Sequence, residues 1–176
     1  MKTITLIIAF GTALALSPAF GADKEKSPAQ APKASPPEIA FMKTAADGGM
    51  TEVELGKLAE KNAQKENVKS FGSHMVKDHG KANDDLKSVA GKLNVTLPDK
   101  VSAKHQAKID EMSKMTGDAF DGAYIKGMVE DHTKTVAAFE KASGTVKNAD
   151  LKKFIDETLP VIKEHLKMAK EMQAAK

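Results

Sequence analysis

The sequence predicts an all-α protein: a ferritin-like four-helix bundle with a crossover that contains a short extra helix. Three observations favour this fold. The chain of 176 residues is rich in Ala, Lys, Glu and Met, with one Tyr and no Trp, a composition that favours helix over sheet. From Glu38 onward the apolar residues recur at helical spacing. Breaks in this spacing divide the chain into four long segments and one short segment.

The first 21 residues have the pattern of a secretory signal peptide. Lys2 precedes an apolar run from Ile4 to Leu16, and small residues follow as far as Gly21, which is the order typical of a cleaved signal. We place cleavage after Gly21. A transmembrane anchor is the alternative, but it requires about 20 apolar residues, and this run is shorter. We therefore expect a periplasmic or otherwise exported protein with no transmembrane segment in the mature chain.

Residues 22–37 carry four prolines and almost no large apolar side chain, so a disordered tail is predicted there. The bundle domain is predicted over residues 38–176. The absence of cysteine excludes disulfides, c-type haem and thiolate metal ligands. The net charge of +3, with lysines interleaved among acids, argues against nucleic acid as a partner. Another component of the cell envelope is the partner class left open.

The first long helix is predicted over residues 38–62 and the second over residues 66–93, because apolar residues keep to one face in each. The stretch NVTLPD then breaks the pattern, with Pro98 as the stop. A short helix is predicted over residues 101–115, and the stretch TGD ends it. The connection between the second and third long helices is therefore long.

The third long helix is predicted over residues 119–142 and the fourth over residues 149–174, with Gly144 suited to a C-cap between them. Pro160 is expected to kink the fourth helix, because it cannot donate to the carbonyl of Asp156. Short links force antiparallel neighbours, whereas the long connection allows a crossover. An up-down-up-down bundle is the alternative topology.

A short phrase recurs along the chain: MVKDHGK in the second long helix, MVEDHTK in the third and a weaker copy, VIKEHLK, in the fourth. Each copy places an acidic residue directly before a histidine. At about 100° per residue, His79, His132 and His165 all face the bundle core or its edge. Asp78 and Asp131 flank the apolar stripes of their helices on the other side.

The first long helix has no histidine, but Glu52 falls within its apolar stripe, whereas Glu54 points to the opposite side. Glu52 and the three histidines each lie more than two turns from either end of their helices. Residues in mid-helix meet at one level whichever way the helices run. The centre of the bundle is therefore predicted to hold one glutamate and three histidines, with Asp78 and Asp131 beside them.

These residue types indicate a site for a single transition-metal ion. Burying an ionised glutamate costs several kcal/mol unless it is paired or bound to a cation, and imidazole with carboxylate suits Zn, Cu, Fe, Ni or Mn. The predicted ligand set is Glu52, His79, His132, His165, Asp78 and Asp131. The two aspartates are either direct ligands or acceptors that fix the imidazole tautomers. Val76, Val129 and Ile162 stand three residues before the histidines, where a di-iron bundle carries glutamate, so a dinuclear site is not expected.

Four further residues have weaker interpretations. His74 and His105 lie off the predicted site and are interpreted as surface residues. Met75 and Met128 precede His79 and His132 by one turn on the same faces. Thioethers can bind copper, but methionine stripes at helical spacing more often belong to the core.

Four segments, FMKTAADGGMTEVELGKLAEKNA, VKSFGSHMVKDHGKANDDL, FDGAYIKGMVEDH and LPVIKEHLKMA, resemble the bacterial domain-of-unknown-function family 4142. The resemblance covers about residues 37–172. It implies an exported, ferritin-like bundle, often labelled a predicted outer-membrane protein, and it favours the crossover topology. It implies no particular activity.

Three functional hypotheses follow from the sequence. The first is a metal-binding or stress-related protein of the envelope. The second is a structural or interaction module whose buried layer of histidines and acids only fixes the packing. The third is a metal-dependent oxidoreductase, which requires an open coordination position and a path for solvent or substrate.

Overall fold

The computed structural model describes residues 33–175, and this part of the chain is helical without any strand. The helices are α1 (Pro36–Asn62), α2 (Glu66–Lys92), α3 (Ala103–Met112), α4 (Gly117–Thr145) and α5 (Ala149–Ala174). The predicted signal peptide and most of the predicted tail lie outside the described residues. The predicted all-α fold is confirmed, and every helix bound falls within three residues of its predicted position.

Two helix ends differ from the predictions. α1 begins at Pro36, inside the predicted tail, because proline lacks the N–H that the first turn leaves unpaired in any case. The predicted C-cap at Gly144 is wrong, because α4 continues to Thr145. The C-cap is Val146, whose N–H donates to the Ala142 carbonyl at 2.8 Å. Val146 is buried among apolar side chains, so packing sets this end in place of a glycine cap.

The helices form two antiparallel hairpins, α1–α2 and α4–α5, joined by the long connection that contains α3. Asp121 near the start of α4 accepts hydrogen bonds from the backbone N–H groups of Gln64 and Lys65, directly before α2, each at 3.0 Å. At the opposite end Phe41 near the start of α1 packs on Phe139 near the end of α4, with ring centroids 5.0 Å apart. α2 and α4 therefore run in the same direction, which confirms the predicted crossover.

The crossover is fastened to the bundle by polar contacts. Ser102, just before α3, donates its backbone N–H to Asp47 of α1 at 2.7 Å. The Nδ1 atom of His105 lies 2.9 Å from the other carboxylate oxygen of Asp47. Lys108 of α3 pairs with Asp131 of α4. α3 thus packs across α1 and α4 at the level of the bundle centre.

α1 and α2 approach each other closely at a pair of glycines. A Cβ atom on Gly56 would lie 2.7 Å from the Gly72 carbonyl oxygen, and a Cβ atom on Gly72 would lie 2.7 Å from the Ala59 side chain. Contacts this short are excluded for any larger residue unless the helices move apart. The glycines therefore set the spacing of the first hairpin.

The core consists of two apolar clusters separated by a polar layer. The lower cluster, at the end where α1 begins, includes Met42, Leu86, Phe139, Leu151, Phe154 and Ile162. The upper cluster includes Leu55, Phe71, Met75, Phe120, Tyr124 and Met128. The polar layer between them consists of Glu52, His79, His132 and His165, all buried. No helix in the described part of the chain is long and apolar enough to cross a membrane.

Candidate metal centre

Three histidine rings from three helices meet in the polar layer. The ring centroids are 5.6 Å apart for His79 and His132, 5.3 Å for His79 and His165, and 5.5 Å for His132 and His165. One ring nitrogen from each histidine lies within 4.8 Å of the other two. The predicted convergence of α2, α4 and α5 at one level places the rings in a nearly equilateral triangle.

Each ring keeps one buried nitrogen without a hydrogen-bond partner among the described residues: Nε2 of His79, Nε2 of His132 and Nδ1 of His165. In two of the three rings, the other nitrogen makes a hydrogen bond. His132 Nδ1 donates to the Met128 carbonyl at 3.1 Å, and His165 Nε2 donates to Asp78 Oδ2 at 3.1 Å. These hydrogen bonds select the tautomers that leave a free lone pair on the unpartnered nitrogen.

The rings are uncharged at neutral pH. Burial, followed by the two neighbouring histidines, lowers the pKa of His79 to about 3, and burial together with His165 lowers the pKa of His132 to about 4. Burial also lowers the pKa of His165, although the hydrogen bond to Asp78 acts in the opposite direction. Neutral imidazole is the form that binds a metal ion. The lone pairs are therefore available without prior loss of a proton.

The triangle is slightly wider than a metal-bound one. Metal–nitrogen bonds of about 2.0–2.1 Å hold three imidazole nitrogens about 3.3–3.6 Å apart. In this structure the three ring nitrogens lie within 4.8 Å of one another. Closing this difference requires movements of about 1 Å, which side-chain torsions supply. One ion therefore fits between the three rings after a movement of this size.

Glu52 lies in the same polar layer as the triangle, but it is not in the group whose ligand atoms all lie within 4.8 Å of one another. Its side chain is 7% exposed, its Oε2 atom has no hydrogen-bond partner in the described part of the chain, and it lines the same cavity as His79 and His132. Burial, followed by the charge of Asp131, raises the pKa of Glu52 to about 8. A carboxyl group in this state is protonated at neutral pH and becomes a ligand when a cation displaces its proton. Its role as fourth ligand stays a prediction.

The other two predicted ligands have different surroundings. Asp78 accepts the hydrogen bond from His165, as expected for an acceptor that fixes a tautomer. Asp131 pairs with Lys108 of the crossover, and the structure shows no hydrogen bond between Asp131 and a ring. Glu54, predicted to be solvated, is half-exposed and pairs with Lys57.

The other two histidines are not part of the group of three rings, and the two methionines that precede His79 and His132 belong to the core. His74 is exposed, and His105 is half-buried and paired with Asp47. Met75 and Met128 are 0% and 1% exposed within the upper cluster. These positions agree with a surface role for the two histidines and a core role for the two methionines.

Sequence reasoning missed one polar group near the site. The Tyr124 hydroxyl is buried without a hydrogen-bond partner among the described residues, and its ring stacks on Phe120 at 5.5 Å. Burial, followed by the charge of Glu52, raises its pKa well above the ordinary value. Because tyrosine fits an apolar stripe, the pattern gave no reason to single it out. The only available signal was that the chain contains one tyrosine, in the same helix as His132.

The fold and the polar layer define a helical-bundle protein whose centre could hold a metal ion. The sequence matches the family described as "Domain of unknown function (DUF4142)" over residues 23–172. The chain therefore belongs to this family, as its motifs indicated.

Two solved structures are similar to this bundle. The crystal structure of a DUF305 fragment from Deinococcus radiodurans has a TM-score of 0.72 and 12% identity, over 82% of this chain and 100% of that one. CopM in the Cu(I)-bound form has a TM-score of 0.64 and 13% identity, over 76% of this chain and 93% of that one. At these identities the similarity shows the fold alone. A search among curated proteins gave no match.

Proposed function

We propose that this protein is an exported metal-binding protein of the cell envelope that holds one transition-metal ion on His79, His132 and His165. One observation carries the proposal: three neutral imidazoles converge with a buried, unpartnered nitrogen on each. A buried polar atom without a partner costs about 1–3 kcal/mol. A bound cation would remove this cost at all three positions at once.

The structural hypothesis explains these contacts less well. Buried polar groups that serve packing alone are hydrogen-bonded, because an unpaired group is costly in a low dielectric. The three rings meet at steep or tilted angles, and the structure shows no hydrogen bond between any two of them. Only His165 is paired with an acid, Asp78. A bound ion would therefore stabilise this layer more than the contacts among its own side chains do.

Copper is the first metal to test among Zn, Cu, Fe, Ni and Mn. Divalent copper binds a given nitrogen or oxygen site more tightly than the other first-row ions, and manganese suits a carboxylate-rich site better than an imidazole-rich one. One of the similar folds, CopM, is known in a Cu(I)-bound form. That similarity motivates the choice of metal and leaves the ligands of this chain to be tested on their own.

Elemental analysis of native protein purified from the cell envelope tests the proposal. We expect about one transition-metal ion per chain, lost on treatment with a chelator and regained on titration with Cu(I), Cu(II) or Zn(II). Protein that is isolated without metal and takes up none of these ions would contradict the proposal. The structural hypothesis predicts that second result.

Export is tested separately by the mass of the native protein. We expect a mature N-terminus near Ala22, because the predicted signal peptide ends at Gly21. The protein should be released with the periplasmic fraction. A chain that retains Met1 and sediments with membranes would contradict the predicted export and leave the metal site untouched.

A further inference from the structure

A cavity of about 210 Å³ lies against two of the three rings, those of His79 and His132. We call it the α1–α4 cavity, because its most exposed lining residues, such as Thr44, Lys134 and Ala138, lie on these two helices. Its inner end is formed by Glu52, His79 and His132. The cavity thus connects the candidate metal centre to the surface between α1 and α4.

The two ends of the cavity differ in chemistry. Its walls are mainly apolar, with Phe41, Leu86, Phe139, Phe154 and Ile162 from the lower cluster. A few polar side chains also line it: Thr44, Asn83, Lys134, Thr135 and Thr158. Its inner end includes three side chains that each carry a buried, unpartnered polar atom: Glu52, His79 and His132. A molecule that fits both parts must be mainly apolar and must carry its polar group at one end.

The volume limits the size of such a molecule. An apolar cavity of about 150 Å³ accommodates benzene, so 210 Å³ accommodates one aromatic ring with a short substituent. Water alone is a poor occupant of the apolar part, since a buried water needs two to four polar partners. The unpartnered polar atoms at the inner end provide an acceptor for one hydrogen-bond donor group of the molecule.

We infer that the α1–α4 cavity is a binding pocket for a small aromatic alcohol or thiol, whose hydroxyl or thiol group points at the metal ion and at Glu52. The contact with the metal rests on the proposed function. His165 is not among the residues that line the cavity, so it would hold a bound ion from the side away from the cavity. His79 and His132 leave the position facing the cavity open for the incoming donor group.

Small residues keep the entrance open. Gly48 lines the cavity on α1, and a Cβ atom built there meets no atom within 4 Å. The Cβ atom of a larger residue at this position therefore displaces no neighbour. Ala138 lines the cavity on the α4 side and is a second position for a larger side chain. Gly48→Leu should therefore block the pocket while leaving the three histidines in place.

Phenol is the probe, and methyl-selective NMR of Leu86 and Ile162 is the readout, first in chelator-treated and then in metal-loaded protein. We expect saturable shifts of both methyl groups in the metal-free protein and tighter binding once the metal is present. Gly48→Leu should weaken phenol binding by at least about tenfold, because the side chain occupies the apolar volume. The control Gly91→Leu should bind phenol normally, since Gly91 is exposed and lies outside the cavity lining.

Ala138→Leu is a second blocking variant in case Gly48→Leu does not fold. Wild-type protein that binds metal but shows no saturable methyl shifts with phenol would overturn this inference and leave the proposed function standing. Shifts that persist unchanged in both folded blocking variants would also overturn it, because they would place phenol elsewhere. Phenol binding without any metal binding would support the pocket and remove the proposed function together with the metal contact.

Discussion

Two glutamates of α1 have the same exposed fraction but different surroundings, because Glu38 lies at the end of the bundle and Glu52 lies at its centre. Glu38 and Glu52 are each 7% exposed. The carboxylate of Glu38 accepts hydrogen bonds from the Ser35 N–H at 2.7 Å and hydroxyl at 2.8 Å, and from the N–H groups of Lys147 at 2.9 Å and Asn148 at 3.0 Å. Burial alone would raise its pKa, but these donors lower it to about 2. At Glu52 burial prevails, and the pKa rises to about 8.

The comparison separates a structural acid from a candidate ligand. Glu38 joins the start of α1 to the turn between α4 and α5, and its charge is fully used by donors within the protein. Glu52 has an oxygen without a partner among the described residues and lies beside three rings in the same condition. Burial of an acid therefore does not identify a binding site. The buried polar atoms that the fold leaves unpaired identify it.

The largest expected effect is on stability, from matched substitutions of the two acids. Glu38→Gln should lower the free energy of unfolding by about 3 kcal/mol, because backbone donors at the α4–α5 turn lose a charged acceptor. Glu52→Gln should change the free energy of unfolding of the metal-free protein by less than about 1 kcal/mol, because glutamine resembles the protonated acid. Denaturant unfolding at pH 7 measures both. Equal losses of unfolding free energy in the two variants would contradict the distinction between a structural acid and a candidate ligand.

The second prediction concerns the pH dependence of stability in metal-free protein. His79 and His132 have folded pKa values of about 3 and 4 against an ordinary 6.5, so the unfolded chain binds more protons below pH 6.5. Stability should therefore rise with pH towards 6.5. Glu52, with a folded pKa of about 8 against an ordinary 4.5, acts in the opposite sense from pH 4.5 to 8.

Because all three histidines of the layer have lowered pKa values and oppose one glutamate, the free energy of unfolding should rise by at least about 1.4 kcal/mol per pH unit from pH 4.5 to 6.5. It should then fall by about 1.4 kcal/mol per pH unit up to pH 8, where only Glu52 titrates. Denaturant unfolding of chelator-treated protein across this range measures the profile. Glu52→Gln should abolish the decline above pH 6.5. A profile that rises to pH 6.5 and then stays level up to pH 8 would show that the buried acid is ionised in the folded protein.

A smaller effect is expected on metal affinity. Glu52→Gln should weaken metal binding by about tenfold, because it removes an anionic oxygen from beside the ion. Glu54→Gln should leave the affinity unchanged, since Glu54 is half-exposed and pairs with Lys57. Competition against a chromophoric chelator measures both affinities. If the two variants bind metal equally well, Glu52 is not a ligand and only the histidines remain.

The sequence was sufficient to predict most of the fold. The helices follow from apolar spacing and from breaks such as NVTLPD, and the long connection indicated the crossover. The convergence of His79, His132 and His165 was predictable because each lies in mid-helix on an inward face. These are local properties, which periodicity reports directly.

The remaining features depend on contacts between distant parts of the chain. Glu38 receives donors from residues 109 and 110 positions further along, which no local pattern reveals. Asp131 was grouped with the site because of its repeated phrase, yet the path of α3 brings Lys108 to it. Which nitrogen of each ring stays free likewise depends on partners such as Asp78, which only the packed bundle defines.

The central claim is that His79, His132 and His165 together bind one ion, and a matched pair of histidine substitutions tests it most directly. Metal titration of wild-type, His132→Ala and His74→Ala protein should show one site in wild type and an unchanged affinity in His74→Ala, because His74 is exposed. His132→Ala should lose affinity by more than about a hundredfold, since one of three ligands is gone. If His132→Ala binds metal as tightly as wild type and differs only in stability, the buried histidines serve packing and the account is wrong.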